Sequence, residues 1–262
     1  MAEKPDRHDR MKPLHPESET ATQQQRPDTS QHIAADTGLP AAHPSSSAHV
    51  VWQAAVLERA QREERNGHKA AVVWLTGLPG SGKSTVAHAA EARLHASGFQ
   101  TVVLDGDNLR HGLCADLGFS DADRRENMRR VGEVAKLFLM QGTVALVALV
   151  SPMRDARETV RALLPEGDFI EVYCNSPLAV CQARDPKGMY AKARQGLIAE
   201  FTGVSAPYEA PLEPALVLAT GLESVESSVD QLVSFLCARL AKPDAATGKS
   251  LNCAWDIYLE ER

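Results

Sequence analysis

Short apolar segments alternate with helical patterns through the middle of the chain. Five segments rich in Val, Leu, Ile and Ala predict strands, at 71–76, 101–104, 143–150, 169–174 and 216–219. Stretches such as 85–96 and 225–240 carry apolar residues at helical spacing. Strands that alternate with helices in this way favour a parallel sheet covered by helices on both faces. We therefore predict an α/β fold whose sheet has about five strands.

The loop after the first predicted strand carries a motif for binding phosphate. It matches G-x-x-x-x-G-K-[ST] over Gly77-Leu78-Pro79-Gly80-Ser81-Gly82-Lys83-Ser84-Thr85. The glycines let backbone N–H groups converge on one anion, and a helix that begins near Lys83 adds its positive dipole end. Lys83 can reach the β- and γ-phosphates of a nucleotide, and the Ser84 hydroxyl can ligate Mg²⁺. A chance glycine-rich turn is the alternative, but strand, loop, Lys-Ser pair and helix together predict a nucleotide site in a sheet of the P-loop NTPase type.

Polar residues follow the second and third predicted strands. Asp105 and Asp107 come after the second strand with Arg110 nearby, where ligands bind in open parallel sheets. A turn that starts a helix explains the same residues equally well. The third strand ends in Ser151 rather than in the acidic residue that often helps to hold Mg²⁺, so Asp105 or Asp107 must supply that carboxylate.

Two further segments indicate a polar pocket. In the helix that Ser120 opens, the apolar stripe through Val131 runs back onto Asn127 and Arg124, although a solvated helix end is the alternative. The segment 184–194 has basic residues beside Gly and Pro and continues to 201–203. We interpret it as a mobile flap over phosphates, with a solvated basic loop as the alternative.

Composition narrows the class of protein. The chain has 262 residues and a formal net charge of −6 at pH 7, which argues against broad attraction to nucleic acid or to a membrane surface. Its longest apolar run, 144–150, is too short to cross a bilayer, and no apolar signal segment opens the chain. Five cysteines without a C-x-x-C pair indicate reduced thiols. We predict a cytoplasmic protein with no nucleic-acid or membrane partner.

In order and spacing, these stretches closely resemble the adenylyl-sulfate kinase (adenosine 5′-phosphosulfate kinase) family of the P-loop kinase superfamily. The matching stretches are 77–85, 104–113, 116–120, 125–131, 151–152, 184–188, 201–203 and 207–211. The resemblance covers about residues 50–240. It implies an ATP-dependent kinase that transfers the γ-phosphoryl group to the 3′-hydroxyl of adenosine 5′-phosphosulfate, giving PAPS and ADP in sulfate activation.

The resemblance also implies a set of site residues. Those that line the acceptor pocket would be Asp107, Arg110, Phe119, Arg124, Asn127, Val150, Ser151, Lys187 and Phe201. Those that bind ATP would be Gly77, Gly80, Ser81, Gly82, Lys83, Ser84 and Thr85, with Arg184 and Thr220 near the base. Mg²⁺ would lie on Ser84 and Asp105, and the catalytic residues would be Lys83, Asp105, Asp107 and Ser151.

Each of these residue types suits its implied role. Phe119 and Phe201 would stack on the acceptor adenine, and arginines would hold its phosphosulfate. Asp107, or Asp105 through the metal, would accept the ribose hydroxyl proton. The serine at the position of Ser151 is described in parts of the family as a phosphoserine intermediate. Because no base neighbours Ser151 in sequence, we favour a contact with the acceptor.

Family members usually form homodimers, so a homodimer is expected, and a functional link to ATP sulfurylase is a further expectation. The implied domains are a P-loop kinase domain at 70–241 and an N-terminal arm at 50–69. Residues 1–49 are polar and rich in Pro, which predicts a disordered leader. The tail at 242–262 receives no role.

Two other functions remain open at this point. Another P-loop kinase, acting on a nucleoside monophosphate or a sugar acid, would use the same loop. A nucleotide-dependent switch or a catalytically silent partner is the second. Against it, no Asn-Lys-x-Asp guanine signature is found, and Lys83, Ser84, Asp105 and Asp107 are all retained.

Overall fold

The computed structural model describes residue 51 and residues 53–242. The predicted leader at 1–49 and the tail beyond residue 242 lie outside the described residues, as does Trp52. Within the described part, the strands are β1 (Ala71–Thr76), β2 (Thr101–Asp105), β3 (Val144–Ala148), β4 (Phe169–Cys174) and β5 (Leu216–Leu218). The helices are α1 (Arg59–Asn66), α2 (Lys83–Ala96), α3 (Gly106–Leu109), α4 (Asp121–Met140), α5 (Arg154–Arg161), α6 (Leu178–Arg184), α7 (Met189–Arg194) and α8 (Val225–Leu240).

The five strands form one parallel sheet in the order β2-β3-β1-β4-β5. The first strand is therefore central, with β3 on one side and β4 on the other. All strands end at the same edge, so the loops after β1, β2 and β3 meet there. The α/β prediction of about five parallel strands is confirmed.

The core has one layer on each face of the sheet. Because side chains alternate along a strand, Val73 and Leu75 of β1 pack with α2 and α8, while Val72 and Trp74 pack with α4 and α5. Every residue of β1 is buried, as expected for a central strand covered on both sides. Helices on both faces are thus confirmed, and they fix β1 and the loop that follows it.

Some element boundaries differ from the prediction. The strand predicted at 143–150 ends at Ala148, because the neighbouring strands β1 and β2 pair with it no further. On α4 the buried line runs from Asn127 through Val131, Ala135 and Leu139, whereas the predicted stripe continued from Val131 to Val134 and Phe138, which are only partly buried. The predicted flap contains a short helix, α7. Ala135 of α4 is small and only weakly hydrophobic, so the hydrophobic pattern of the sequence did not mark it as a core position.

Among the described residues, no helix is long and apolar enough to cross a membrane. Three cysteines, Cys114, Cys174 and Cys181, are free and buried.

Candidate active site

The loop between β1 and α2 is shaped by glycines at positions where a side chain would clash or strain the backbone. Gly77 has φ +155°, and an added Cβ would lie 2.6 Å from the Cys174 carbonyl oxygen. Gly82 has φ +96° and precedes the first turn of α2. Among the described residues no side chain caps this helix N-terminus, which leaves its first N–H groups for a ligand. The loop is therefore built to bind an anion.

Lys83 lies buried inside this loop. Its Nζ donates to the Gly77 carbonyl at 3.0 Å and to the Leu78 carbonyl at 2.8 Å. Burial disfavours the charged amine and lowers the pKa of Lys83 to about 8. The Lys83 amine therefore lies at the centre of the loop, where it is hydrogen-bonded to two backbone carbonyl oxygens.

Ser84 and Asp105 lie side by side where β2 ends. The Ser84 hydroxyl donates to Asp105 Oδ2 at 2.5 Å, and Asp105 Oδ1 accepts the Asp107 N–H at 3.0 Å. Burial alone would raise the pKa of the Asp105 carboxyl, but these hydrogen bonds and one from Asn108 bring it below its ordinary value. Asp105 is therefore an anion next to a hydroxyl, and hard oxygens of this kind suit Mg²⁺.

The described residues contain no group of three or more His, Cys, Asp or Glu side chains placed to hold a metal. A magnesium ion on Ser84 and Asp105 would thus need further oxygens from phosphate or water. That is the usual way in which Mg²⁺ binds in phosphoryl-transfer enzymes. The donor set fits a nucleotide-dependent ion.

A cavity of about 750 Å³ lies over the carboxyl edge of the sheet. It brings together most of the predicted site residues, namely Gly80, Gly82, Lys83, Ser84, Thr85, Asp105, Asp107, Arg110, Phe119, Arg124, Asn127, Val150, Ser151, Arg184, Lys187, Phe201 and Thr220. Gly77 and Ser81 are outside its lining and shape the loop from behind. Lys83 and Asp107 both line this one cavity.

We call the part lined by Gly80, residues 82–85, Arg184 and Thr220 the P-loop end. Three buried polar atoms of the cavity lining lack a hydrogen-bond partner within the described part of the chain: Asn127 Nδ2, Thr220 Oγ1 and Ser228 Oγ. Buried polar groups are nearly always paired, so orphans on a cavity wall indicate a ligand or water. Arg184 donates to the Thr220 carbonyl at 2.7 Å, which joins α6 to the loop before α8.

The opposite part, lined by Arg110, Phe119, Arg124, Asn127 and Phe201, is called the arginine end. The Arg110 guanidinium lies 4.2 Å from the centre of the Phe119 ring, which is half exposed. Arg124 donates to the Glu200 carbonyl at 2.6 Å and to Thr202 Oγ1 at 3.1 Å. Burial and the nearby Arg110 both lower the pKa of Arg124. Two cations side by side mark this end as a site for a strong anion.

Phe201 is buried at the arginine end rather than open like Phe119. Its ring meets Tyr190 edge to face at 5.0 Å, and the Tyr190 hydroxyl donates to the Pro79 carbonyl at 2.9 Å. The segment predicted as a flap is therefore tied to the P-loop through Tyr190. Sequence reasoning gave Tyr190 no role, because its partners are 11 and 111 residues away.

Lys187 of the same segment reaches across the cavity mouth to Asp107. The ammonium and the carboxylate form an ion pair, and both side chains are largely exposed. The hydrogen bond to Asp107 raises the pKa of Lys187. An exposed pair of this kind contributes little to stability, so it is easily exchanged for contacts with a ligand.

Ser151 lies on the cavity floor, nearly inaccessible. Its Oγ accepts the Trp74 indole N–H at 3.1 Å and donates to the Leu149 carbonyl at 3.3 Å. Its φ is +41°, which is the left-handed region. The hydroxyl proton therefore goes to a backbone carbonyl rather than to a base, which disfavours a nucleophilic serine and agrees with a contact role.

Residues at the start of α8 also line the cavity and were missed by sequence reasoning. They are Glu223, Val225 and Ser228. They follow β5, which joins the sheet at its edge beside β4 and brings the start of α8 against the P-loop. No local motif marks them, so only the strand order could have found them.

Comparison with known proteins gives a consistent result. The family model for adenylylsulphate kinase matches residues 69–219. The adenylyl-sulfate kinase of Acaryochloris marina is 52% identical over 201 residues, covering 76% of this chain and 98% of the relative. That of Geotalea daltonii is 54% identical over 187 residues, 71% of this chain and 92% of the relative.

A solved structure of the Mycobacterium tuberculosis APS kinase CysC in complex with AMPPNP and APS is 47% identical, with a TM-score of 0.62. It covers 64% of this chain, and 98% of that chain is matched. The hexameric APS kinase from Thiobacillus denitrificans is 31% identical with a TM-score of 0.50, over 66% of this chain and 30% of its own. By sequence, fold and cavity alike, the chain belongs to the adenylylsulphate kinase family.

Proposed function

We propose that this protein transfers the γ-phosphoryl group of ATP to the 3′-hydroxyl of adenosine 5′-phosphosulfate, giving ADP and 3′-phosphoadenosine 5′-phosphosulfate. The single observation that carries the proposal is the shared cavity, which is lined both by the P-loop and by the paired arginines Arg110 and Arg124. A triphosphate suits the first and a phosphosulfate the second. The relatives named adenylyl-sulfate kinase support the same activity.

At the P-loop end, backbone N–H groups of the loop and of the first turn of α2 would hold the β- and γ-phosphates. Lys83 would turn from its carbonyl acceptors to the transferring group and neutralise charge there. The orphan hydroxyls of Thr220 and Ser228 would pair with the nucleotide, while Arg184 would lie against the base. Gly77 and Ser81 would act indirectly by fixing the loop.

Magnesium would be held by Ser84 and Asp105 and would supply charge neutralisation at the phosphates. Asp107, at the same strand end, would accept the proton of the attacking hydroxyl. Lys187 would leave Asp107 when substrates enter and add positive charge over the phosphates. Asp105 would meanwhile keep its ionised form through its three hydrogen bonds.

At the arginine end, Arg110 and Arg124 would bind the phosphosulfate of the acceptor. Phe119 and Phe201 would contact its adenine, with Asn127, Val150 and Ser151 completing the pocket wall. Asn127 Nδ2 is a buried donor without a partner in the described residues, and an acceptor atom of the ligand would satisfy it.

A homodimer, a cytoplasmic location and a functional link to ATP sulfurylase complete the proposal. The three free, buried thiols Cys114, Cys174 and Cys181 agree with a reducing compartment. The domain limits proposed are an N-terminal arm at 50–69 and a P-loop kinase domain at 70–241, with a leader at 1–49 and a tail at 242–262.

The deciding experiment incubates the full chain with Mg-ATP and adenosine 5′-phosphosulfate and analyses the nucleotides by mass spectrometry. A phosphate on the 3′ position, lost on chelation of magnesium and in a Lys83→Met variant, is the expected result. Parallel reactions contain a nucleoside monophosphate or a sugar acid as acceptor. Turnover of either one without turnover of adenosine 5′-phosphosulfate would overturn the proposal, and ATP binding without any turnover would favour a silent partner.

A further inference from the structure

Arg157 of α5 is a fully buried cation outside the cavity lining. Its side chain is 1% exposed, and its Nε donates to Glu171 Oε1 of β4 at 2.6 Å. Glu171 also accepts Arg161 at 3.0 Å, so its charge is compensated from two sides. A buried ion pair is weak evidence for stability by itself, because desolvation offsets the attraction. The ion pair with Glu171 therefore does not by itself explain why Arg157 is buried.

The other two arms of the guanidinium donate to main-chain oxygens. Nη1 donates to the Ser151 carbonyl at 2.7 Å, and Nη2 donates to the Glu209 carbonyl at 2.9 Å. Glu209 in turn accepts the Arg154 N–H through its carboxylate at 2.8 Å, and its own N–H donates to the Pro152 carbonyl at 2.9 Å. Arg157 thus clasps the segment after β3 to the segment around residue 209.

Ser151 is the point in the cavity where this clasp acts. It is a residue with a Cβ in the left-handed region, a conformation that persists only where surroundings over-determine it. The Ser151 carbonyl accepts from Arg157 and, more weakly, from Thr76 Oγ1 at 3.4 Å, and the Ser151 hydroxyl accepts from the Trp74 indole. Together these bonds set where the Ser151 side chain lies on the cavity floor.

We propose that Arg157 is a positioning residue for the acceptor, acting through the backbone of Ser151. The proposal rests on the proposed function, since it takes Ser151 as a contact of the acceptor nucleotide. Arginine suits this task because its planar fork reaches three acceptors at once, which a lysine ammonium at the end of a flexible stem does not. Trp74 donates to the hydroxyl of the same residue.

The test measures KM for each substrate, and thermal stability, in three variants of the full chain. Arg157→Lys should raise KM for adenosine 5′-phosphosulfate about tenfold, as expected for one lost charge-assisted hydrogen bond, while KM for ATP stays within about twofold. Arg157→Met should raise the acceptor KM further. The matched control is Glu171→Gln, which weakens the ion pair but leaves both carbonyl contacts, so it should lower stability without changing the acceptor KM.

A double-mutant cycle separates positioning from general damage. Ser151→Gly removes the hydroxyl and accepts the left-handed backbone without strain. In that background Arg157→Lys should no longer change the acceptor KM, because nothing remains to be positioned. An equal fold-change in both backgrounds, or an acceptor KM that follows stability in Glu171→Gln as well, would overturn the proposal.

Failure of the proposed function would look different. A wild-type chain that turns over a different acceptor, or none, would refute that function. Calorimetric affinities of the same variants for adenosine 5′-phosphosulfate would then test the positioning role of Arg157 without relying on turnover. Unchanged affinity in Arg157→Lys would count against its positioning role.

Discussion

At the P-loop end of the cavity the groups that meet phosphate are held by the backbone, whereas at the arginine end they are side chains that contact one another. Gly77 and Gly82 fix the loop through conformations and close approaches that do not depend on a ligand. Arg110 instead rests on Phe119, and Arg124 bonds to the Glu200 carbonyl. The first end is preorganised, while the second must exchange internal contacts for the ligand.

The two ends of the cavity should therefore respond differently to amino-acid substitutions. In a preorganised site, a distorted backbone weakens ligand binding and also lowers the free energy of unfolding. A site of exchangeable side chains loses binding of its own ligand alone, because its internal contacts are exposed or weak. The two substrates should therefore be separable by mutation.

The largest expected effect lies where the two ends meet. Asp107→Asn removes the proposed proton acceptor but none of the loop contacts to phosphate, so kcat should fall about 10³-fold while ATP affinity stays nearly unchanged. Turnover assays and calorimetry with ATP measure the two quantities. Wild-type turnover in Asp107→Asn would remove Asp107 from the catalytic residues.

The second prediction concerns the backbone of the P-loop. In Gly77→Ala the new Cβ would lie 2.6 Å from the Cys174 carbonyl oxygen. Together with the positive φ this should lower the free energy of unfolding by about 3 kcal/mol and abolish measurable ATP binding. Gly112→Ala is the control near the arginine end, since nothing lies within 4 Å of its Cβ. Denaturant unfolding measures both, and equal losses would contradict the proposed preorganisation.

The third prediction uses one unpaired polar atom from each end of the cavity, Asn127 Nδ2 and Thr220 Oγ1. Asn127→Ala should raise KM for adenosine 5′-phosphosulfate about tenfold, and Thr220→Val should raise KM for ATP by a similar factor. Neither change should lower the melting temperature much, because each removes a buried group that lacks a partner in the described residues. Steady-state kinetics with each substrate varied in turn measure the split. A rise in both KM values from one substitution would contradict the separation.

The smallest expected effect is a difference in pH dependence. Burial lowers the pKa of Lys83 to about 8, so in the free protein the ammonium is lost as pH rises above that value. Since phosphate binding needs the charged form, kcat/KM for ATP should fall about fivefold from pH 8 to pH 9. At saturating ATP, kcat/KM for the acceptor should stay flat, because arginines remain protonated. A parallel fall in both profiles would point to a shared group instead.

Local patterns were enough for the sheet and the P-loop. β1 and β4 match their predicted limits, because a short run of apolar, β-branched residues bounded by polar turns predicts a buried strand. Ser120 caps α4 as predicted, since a cap involves residues three apart. The helical stripe already pointed to Arg124, and the resemblance to adenylyl-sulfate kinases then supplied the roles of the arginines and the aromatic residues Phe119 and Phe201.

Other features could not be found in this way. The hydroxyl of Ser228 and the ring of Tyr190 reach the cavity only because of strand order and of contacts between distant segments. Arg157 lies among charged residues of α5 that predict a solvated face, yet it is buried because Glu171 of β4 lies opposite it. A charge is buried where a partner meets it, and a sequence does not show partners.

The strand segments, the place where an anion can bind and the chemistry of the P-loop all follow from the amino-acid sequence, because they depend on residues close together in the chain. Three other features depend on the folded chain: Lys83 and Asp107 line one cavity, Arg110 and Arg124 lie in its wall, and Arg157 donates to the Ser151 carbonyl. The reason is that the parallel sheet brings loops far apart in sequence to one edge, and their side chains then set each other's charge and position.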